Sequence, residues 1–198
     1  YYPDASYFII KLIADRKSRR LLGIQVVGSR MVDKMVDIAA TGISLKATVD
    51  SFDDIDFAYA PPFSTAISPF AAACNVLENK LDGLLDSMTP AEYNAGAAKG
   101  YTVVDALPVQ TIPNAKWIPI EKLPSAIEGI AADAKLLLVC ARGKRGYMLQ
   151  NRLKSLGFTE TKVLEGGLTL NTVKVERTSS KLPESEIKRL KGLGCLRD

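Results

Sequence analysis

Hydrophobic and polar positions divide the first 80 residues into a hairpin and two helices. Residues 7–14 and 21–28 are apolar and rich in β-branched side chains, and the polar stretch DRKSRR between them predicts a β-hairpin. Apolar residues recur at helical spacing over 30–45, and an alanine-rich stretch that begins with proline predicts a second helix over 69–80. The segment between the helices contains Pro61-Pro62 and is predicted to be irregular.

The pattern after about residue 84 alternates between strands and helices. Thr89-Pro90-Ala91-Glu92 has the form of a capping box with proline at the first helical position. The continuous apolar run LLLV at 136–139 is typical of a parallel strand that is buried on both faces. This alternation predicts a parallel sheet with helices on its faces. The predicted strands cover 101–105, 115–120, 135–140 and 161–164, and the predicted helices cover 90–97, 123–131 and 145–156.

The change of pattern predicts two domains and a tail. Residues 1–83 are predicted to form an α+β domain with a small antiparallel sheet and two helices. Residues 84–173 are predicted to form an α/β domain with a parallel sheet, and the boundary is placed between Gly83 and Met88. Residues 174–198 are polar and form the predicted tail, in which 183–190 has the pattern of a short helix.

Composition and charge exclude several classes of protein. The formal net charge is +4, and the basic clusters are local and not interleaved with aromatics, so no nucleic-acid partner is predicted. No run approaches the roughly 18 apolar residues of a membrane span, and no signal peptide is apparent. The three cysteines are widely spaced, which indicates reduced thiols and a cytoplasmic protein. Because the chain begins almost inside a strand without methionine, we expect a fragment of a longer protein.

The absence of histidine limits the chemistry further. With no histidine in 198 residues, Ser-His-Asp and Cys-His mechanisms and histidine metal sites are excluded. Any nucleophile in this chain must therefore be activated in another way.

The candidate nucleophile is Cys140, which ends the LLLV strand and precedes a short basic loop and a predicted helix. Loops at the carboxyl ends of parallel strands bind ligands, and a helix N-terminus offers free N–H groups and a positive dipole end. Glycines let the backbone curl around the sulfur, and the basic side chains add positive charge, so the thiolate is favoured over the thiol. The predicted substrate-binding loop consists of Ala141, Arg142, Gly143, Lys144, Arg145 and Gly146.

The length of this loop discriminates between kinds of cysteine chemistry. Cysteine phosphatases need an arginine six positions after the cysteine, where it binds a phosphate dianion in bidentate fashion. Here Gly146 lies six positions after Cys140, and Arg145 lies five after it. A Walker A loop also fails, because Leu138 occupies the position of its first glycine. The shorter loop argues against phosphate monoesters and suits the smaller cradle around a persulfide sulfur.

The sequence LLLVCARGKRGYMLQNRLKSLGF, followed by KVLEGG, resembles the C-terminal half of a rhodanese domain. The resemblance implies that Cys140 attacks a sulfane sulfur donor, that the loop N–H groups hold the resulting persulfide, and that an acceptor thiol receives the sulfur. The front half, VVDALPVQTIPNAKWIPIEKL, keeps Asp105 but lacks the arginine, glutamate and histidine of the family pattern.

The first domain contains GIQVVGSRMVDKMVDIAATGI and YAPPFS, and it resembles the dimerisation domain of flavin-dependent pyridine nucleotide–disulfide oxidoreductases. The branch it resembles contains coenzyme A disulfide reductases and NADH oxidases. This resemblance implies a homodimer through residues 1–83, in which Tyr59 and a tyrosine of YYP, Tyr1 or Tyr2, reach the partner's flavin–cysteine site. Tyr1 and Tyr59 are thus candidate catalytic residues. Cys74 is predicted to be buried in the core and Cys195 to be a thiol of the tail.

Together the two resemblances imply a C-terminal fragment of a reductase of CoA disulfides, CoA persulfide or polysulfide that carries a rhodanese domain. FAD and NAD(P)H are expected to bind the full-length protein and neither is expected to bind this fragment. The expected substrates are small thiols, CoA or polysulfide. Two alternatives remain open: a catalytically weak rhodanese-like module used for dimer assembly or regulation, and a cysteine-loop protein that binds anions or reduces oxyanions such as arsenate.

Overall fold

A computed structural model describes residues 7–61, 63–169, 184, 185 and 188. The chain divides into two compact units, Tyr1–Leu84 and Leu85–Asp198. Tyr1, Cys195 and the predicted tail apart from those three positions lie outside the described residues. Within the described part of the chain, no helix has the length and apolar character that crossing a membrane requires.

The first unit contains the predicted hairpin and both predicted helices. Strands β1 (Phe8–Ala14) and β2 (Leu21–Gly28) pair antiparallel. Helices α1 (Val32–Ser44) and α2 (Pro69–Leu81) confirm the helical spacing, and α2 begins with proline after a serine cap. The segment predicted to be irregular contains a 3₁₀ turn at Val49–Phe52 and has no longer helix among its described residues. The α+β prediction for this unit is therefore confirmed.

An aromatic pair lies at the centre of the first unit's core. Phe70 of α2 meets the ring of Phe52 edge to face, with ring centroids 4.9 Å apart. Gly42 makes room for Phe52, because a β-carbon at position 42 would overlap that ring. Cys74 is fully buried, as predicted. The buried apolar residues of this core are Leu21, Met35, Ala39, Val49, Phe52, Phe70 and Cys74.

The second unit is built on a parallel sheet, as the alternating pattern predicts. Its five strands lie in the spatial order β3-β7-β6-β4-β5, and every pair is parallel. The strand with the LLLV sequence lies at the centre with all four residues buried, which confirms the prediction for that run. The strands are β3 (Ser87–Met88), β4 (Thr102–Asp105), β5 (Lys116–Trp117), β6 (Leu136–Val139) and β7 (Thr161–Leu164).

Two helices of this unit agree with the sequence pattern. Helix α3 (Pro90–Asn94) has the predicted capping box, in which the Thr89 hydroxyl accepts from the Glu92 N–H at 3.2 Å. It is shorter than predicted, because the chain turns through Gly96 with φ 90°. Helix α4 (Lys144–Ser155) follows the cysteine loop directly.

The predicted helix over 123–131 is wrong. One 3₁₀ turn, Ile120–Lys122, ends just before this range, and the range itself contains a second 3₁₀ turn, Ser125–Ile127. Pro124 lies between the turns, where it cannot donate a helical hydrogen bond, and Gly129 has a positive φ of 75°. These two residues account for the absence of a continuous helix.

Two strands differ from prediction in length or existence. The strand predicted over 115–120 is reduced to the two residues of β5, because the chain turns into the first 3₁₀ turn at Ile120. Strand β3 was missed, since two residues carry no periodicity. All five strands run in one direction, so the segments that follow β4, β6 and β7 leave from the same edge of the sheet.

Candidate active site

Cys140 lies at the carboxyl end of the central strand β6 and is only 2% exposed. Its position follows from the burial of the whole LLLV run, which fixes where the strand ends. Helix α4 begins four residues later at Lys144. The sulfur therefore lies between a strand end and a helix N-terminus, as the order of residues predicts.

Two backbone N–H groups of the loop point at this sulfur. The Gly143 N–H donates to Cys140 Sγ at 3.2 Å, and the Gly146 N–H donates to it at 3.4 Å. Gly143 has φ 95°, a conformation that glycine adopts without strain. N–H groups at a helix N-terminus stabilise negative charge, so this arrangement favours anionic sulfur at the position of Sγ.

Gly146 allows α4 to lie directly on the sheet. A β-carbon at this position would lie 2.9 Å from Val163 Cγ1 and 3.4 Å from the Leu138 carbonyl oxygen. Val163 belongs to β7 and Leu138 to β6, so the helix touches both strands at its first turn. This close approach places the Gly146 N–H within reach of the sulfur.

A glycine turn after β7 supports the loop from the other side. The Leu168 N–H donates to the Cys140 carbonyl and the Thr169 N–H to the Ala141 carbonyl, both at 2.9 Å. Gly167 has φ 55°, and a β-carbon there would overlap the backbone of Cys140 and Ala141. The second glycine of KVLEGG is thus required by its contact with the cysteine loop.

Three cationic residues belong to the loop and the first turn of α4. Arg142 and Lys144 are exposed, and Arg145 is half-buried. Together with the helix N-terminus they give this edge of the sheet a positive potential, which attracts anionic reactants.

Asp105 organises the neighbouring segment at the same edge. It ends β4, is fully buried, and its carboxylate accepts from three backbone N–H groups. Leu107 donates at 3.0 Å, Thr111 at 2.6 Å and Ile112 at 2.9 Å. Burial raises the pKa of the Asp105 carboxyl, and the three N–H donors oppose that rise. The adjoining Ala106 N–H donates to the Val139 carbonyl at 2.9 Å, next to Cys140.

Gln150 of α4 is a buried polar residue that sequence reasoning missed. Its side chain is fully buried and bonds to the backbone of Asp86 and Thr161. A signal was available, because position 150 lies one turn after Gly146 on the helix face that also buries Leu149 and Leu153. A glutamine on such a face must find partners in the core.

The remaining candidate residues lie in the first unit. Tyr59 belongs to the YAPPFS segment and is 61% exposed, and Phe63 beside it is 73% exposed. Cys74 is buried, and burial together with the nearby Glu78 and Asp53 raises the pKa of its thiol to about 12. Cys74 is therefore a protonated core residue at neutral pH.

Comparison with known families finds two domain families in this chain, one after the other. The pyridine nucleotide-disulphide oxidoreductase dimerisation domain matches residues 1–70. The rhodanese-like domain matches residues 72–170, which is half of the chain.

Curated relatives match a part of the chain. The chain is 37% identical over 78 residues to an NAD(P)H coenzyme A polysulfide/persulfide reductase of Pyrococcus horikoshii, covering 39% of this chain and 17% of that protein. It is 34% identical over 64 residues to a coenzyme A disulfide reductase of Staphylococcus epidermidis, covering 32% and 15%. The chain thus spans about a sixth of the length of these curated relatives.

Two solved structures extend the likeness over most of the chain. The reduced CoADR-RHD protein of Bacillus anthracis has a TM-score of 0.76 at 30% identity, covering 84% of this chain and 31% of that one. An NAD-dependent persulfide reductase from A. fulgidus has a TM-score of 0.72 at 33% identity, covering 85% and 31%. The chain belongs to the rhodanese-like domain family, with a dimerisation domain of the pyridine nucleotide-disulphide oxidoreductases preceding the rhodanese-like part.

Proposed function

We propose that the second unit transfers sulfane sulfur through a persulfide on Cys140. The observation that carries this proposal is the pair of N–H groups, from Gly143 and Gly146, that donate to Sγ at 3.2 and 3.4 Å. These donors stabilise a sulfur anion without histidine, and the chain contains none. The cationic residues of the loop, Arg142, Lys144 and Arg145, attract an anionic donor.

The transfer takes place in two displacements. The Cys140 thiolate attacks the sulfane sulfur of a donor such as thiosulfate or a polysulfide, and the S–S bond of the donor breaks with its electron pair leaving on the donor fragment. An acceptor thiolate or cyanide then attacks the outer sulfur of the persulfide, and the Cys140 thiolate is the leaving group. Cys140 returns to its starting state, so the cycle needs no external oxidant or reductant.

We propose that the full-length protein is an FAD- and NAD(P)H-dependent reductase of CoA disulfides, CoA persulfide or polysulfide. The names of the relatives from P. horikoshii and S. epidermidis support this substrate class. In the first unit Gly23 and Gly28 do not form the Gly-x-Gly-x-x-Gly pattern that binds dinucleotide phosphates. We therefore assign both cofactors to the part of the relatives' length that this chain does not span.

The first unit is proposed to form a homodimer through residues 1–83. Its family match supports this, as do the exposed apolar residues Ile9, Ile13 and Val27 on β1 and β2. Within that dimer, Tyr59 is proposed to reach the partner's flavin–cysteine site, where a phenol can protonate a leaving thiolate. The high exposure of Tyr59 is consistent with a role outside its own core. Light scattering of the fragment tests the dimer, and a strict monomer at high concentration would contradict it.

The second candidate function is a weakly active module used in assembly or regulation. Leu107 favours it, because this fully buried leucine lies two residues after Asp105, where the rhodanese pattern has an arginine. The charged side chain of the family pattern is thus replaced by a core residue.

Cyanolysis of thiosulfate and of polysulfide separates the two candidates. We expect thiocyanate formation by the parent chain and its loss in Cys140→Ala, with Cys74→Ala as the matched control because that thiol is buried in the other unit. Equal rates for the parent and Cys140→Ala would reject sulfur transfer and favour the assembly module.

A further inference from the structure

Gln150 is a fully buried polar residue whose amide joins α4 to two other segments. Its Nε2 group donates to the Asp86 carbonyl and to the Thr161 carbonyl, both at 2.8 Å. Its Oε1 atom accepts from the Asp86 N–H at 3.1 Å. Both amide protons and the amide oxygen are therefore used, as a buried side chain requires.

The partners of Gln150 lie at the ends of strands. Thr161 is the first residue of β7, and Asp86 directly precedes β3. The Asp86 carbonyl also accepts from the Val163 N–H of β7 at 2.9 Å. One glutamine side chain thus ties α4 to the place where β3 and β7 meet.

Gly146 and Gln150 hold the same face of α4 at two points one turn apart. At Gly146 the helix lies so close to β6 and β7 that an added β-carbon would crowd both strands. At Gln150 the three hydrogen bonds fix the distance between the helix and the start of β7. Two fixed points on one helix face determine its tilt over the sheet, and the tilt determines where the N–H groups of the first turn point.

The sulfur contacts of that first turn are sensitive to the tilt. The Gly146 N–H lies 3.4 Å from Cys140 Sγ and the Gly143 N–H lies 3.2 Å from it. We propose that Gln150 is a positioning residue that orients the N-terminal turn of α4 so that these two donors face the sulfur of Cys140. The proposal rests on sulfur transfer by Cys140 and assigns to that reaction a residue which does not touch the sulfur.

Gln150→Met tests this assignment, because methionine has a similar length and makes none of the three hydrogen bonds. We expect kcat for thiocyanate formation to fall about tenfold or more per folded molecule with little change in KM, since displaced donors reduce stabilisation of the reacting sulfur. Leu153→Ala is the control, because Leu153 is buried on the same helix one turn farther from the loop. We expect it to lower stability while kcat changes less than about twofold. Equal kcat losses in the two variants at matched folded fractions would overturn the proposal.

Gln150→Glu gives a second test that also applies if the methionine variant does not fold. A neutral carboxyl group can accept from the Asp86 N–H and donate to one carbonyl, whereas a carboxylate donates nothing to either carbonyl. Because burial raises the pKa of the introduced carboxyl above its usual value of about 4.3, the rate relative to the parent, divided by the folded fraction, should rise as the pH is lowered from about 8 to about 5.5. A ratio that does not change with pH would overturn the positioning role.

Cys140→Ala is measured beside both variants, so that a failure of sulfur transfer can be told apart from a failure of the positioning role. If this variant is as active as the parent, sulfur transfer by Cys140 fails and the role of Gln150 fails with it. If Cys140→Ala is inactive and Gln150→Met retains the parent kcat, only the positioning role fails.

Discussion

Replacing Gly146 by alanine sets two effects of opposite sign against each other. Alanine favours a helix over glycine by about 1 kcal/mol, because glycine loses more backbone entropy on folding. The new β-carbon would lie 2.9 Å from Val163 Cγ1 and 3.4 Å from the Leu138 carbonyl oxygen. Both neighbours belong to the sheet, and Val163 is a buried β-branched residue with restricted side-chain freedom.

The steric overlap should outweigh the gain in helix propensity, so we expect Gly146→Ala to lower both stability and activity. Overpacking of a filled core destabilises by about 1–3 kcal/mol, so we expect a net loss of about 1 kcal/mol after the gain in helix propensity. Relief of the overlap moves α4 away from β7 by a few tenths of an ångström. Because the Gly146 N–H is already 3.4 Å from Cys140 Sγ, that movement weakens the bond, and we expect sulfur transfer to fall about tenfold.

Urea unfolding followed by the fluorescence of Trp117 measures the stability part. This residue is the one tryptophan of the sequence and lies in the second unit. In Gly146→Ala/Val163→Ala the overlap is gone, so we expect a favourable coupling of about 1 kcal/mol between the substitutions. Gly23→Ala is the control for activity, because a β-carbon there has ordinary contacts only, 3.7 Å from Ile13. Full activity together with a gain of about 1 kcal/mol in Gly146→Ala would refute the close approach of α4 to the sheet.

Two further predictions concern the first unit. The Arg19 guanidinium bonds to Asp50 and Asp82. Hydrogen bonding to Arg19 lowers the pKa of the Asp50 carboxyl below 3.8. The stabilisation by this ion pair is therefore present above pH 3.8 and is lost as the pH falls through the lower folded-state pKa. Arg19→Gln should therefore be less stable than the parent at neutral pH, with a difference that shrinks below pH 3.8 in circular-dichroism melts; a constant difference would contradict this. Burial raises the pKa of the Cys74 thiol to about 12, so this thiol should resist iodoacetamide at pH 8 and react after unfolding. Mass spectrometry of the peptide that contains Cys74 measures the labelling, and rapid labelling of the native protein would contradict the burial of Cys74.

The sequence predicts best the elements in which a pattern of apolar residues continues over many positions or a local signal is strong. The hairpin of β1 and β2, the proline-started α2 and the buried run of β6 all agree with the structure. The order of strand, cysteine, glycine and helix also predicts where Cys140 lies relative to α4. Each of these features is decided by neighbours in the chain.

The features that were missed depend on residues distant in the chain. Strand β3 has two residues and exists only through its pairing with β7. The alternating pattern predicts a helix over 123–131, but Pro124 separates the 3₁₀ turn before this range from the 3₁₀ turn within it. Gln150 has partners 64 and 11 residues away, so no local pattern identifies them.

The altered front half of the rhodanese-like part is compatible with an intact cysteine loop because Asp105 still orders the adjoining segment. Its carboxylate bonds to N–H groups of Leu107, Thr111 and Ile112 without any help from an arginine. Leu107 then fills the core, and its carbonyl accepts from Trp117 Nε1 at 2.9 Å. Loss of the family's charged residues thus leaves the backbone beside β6 in place. The N–H groups of Gly143 and Gly146 therefore keep their contacts with Cys140 Sγ although the front half departs from the family pattern.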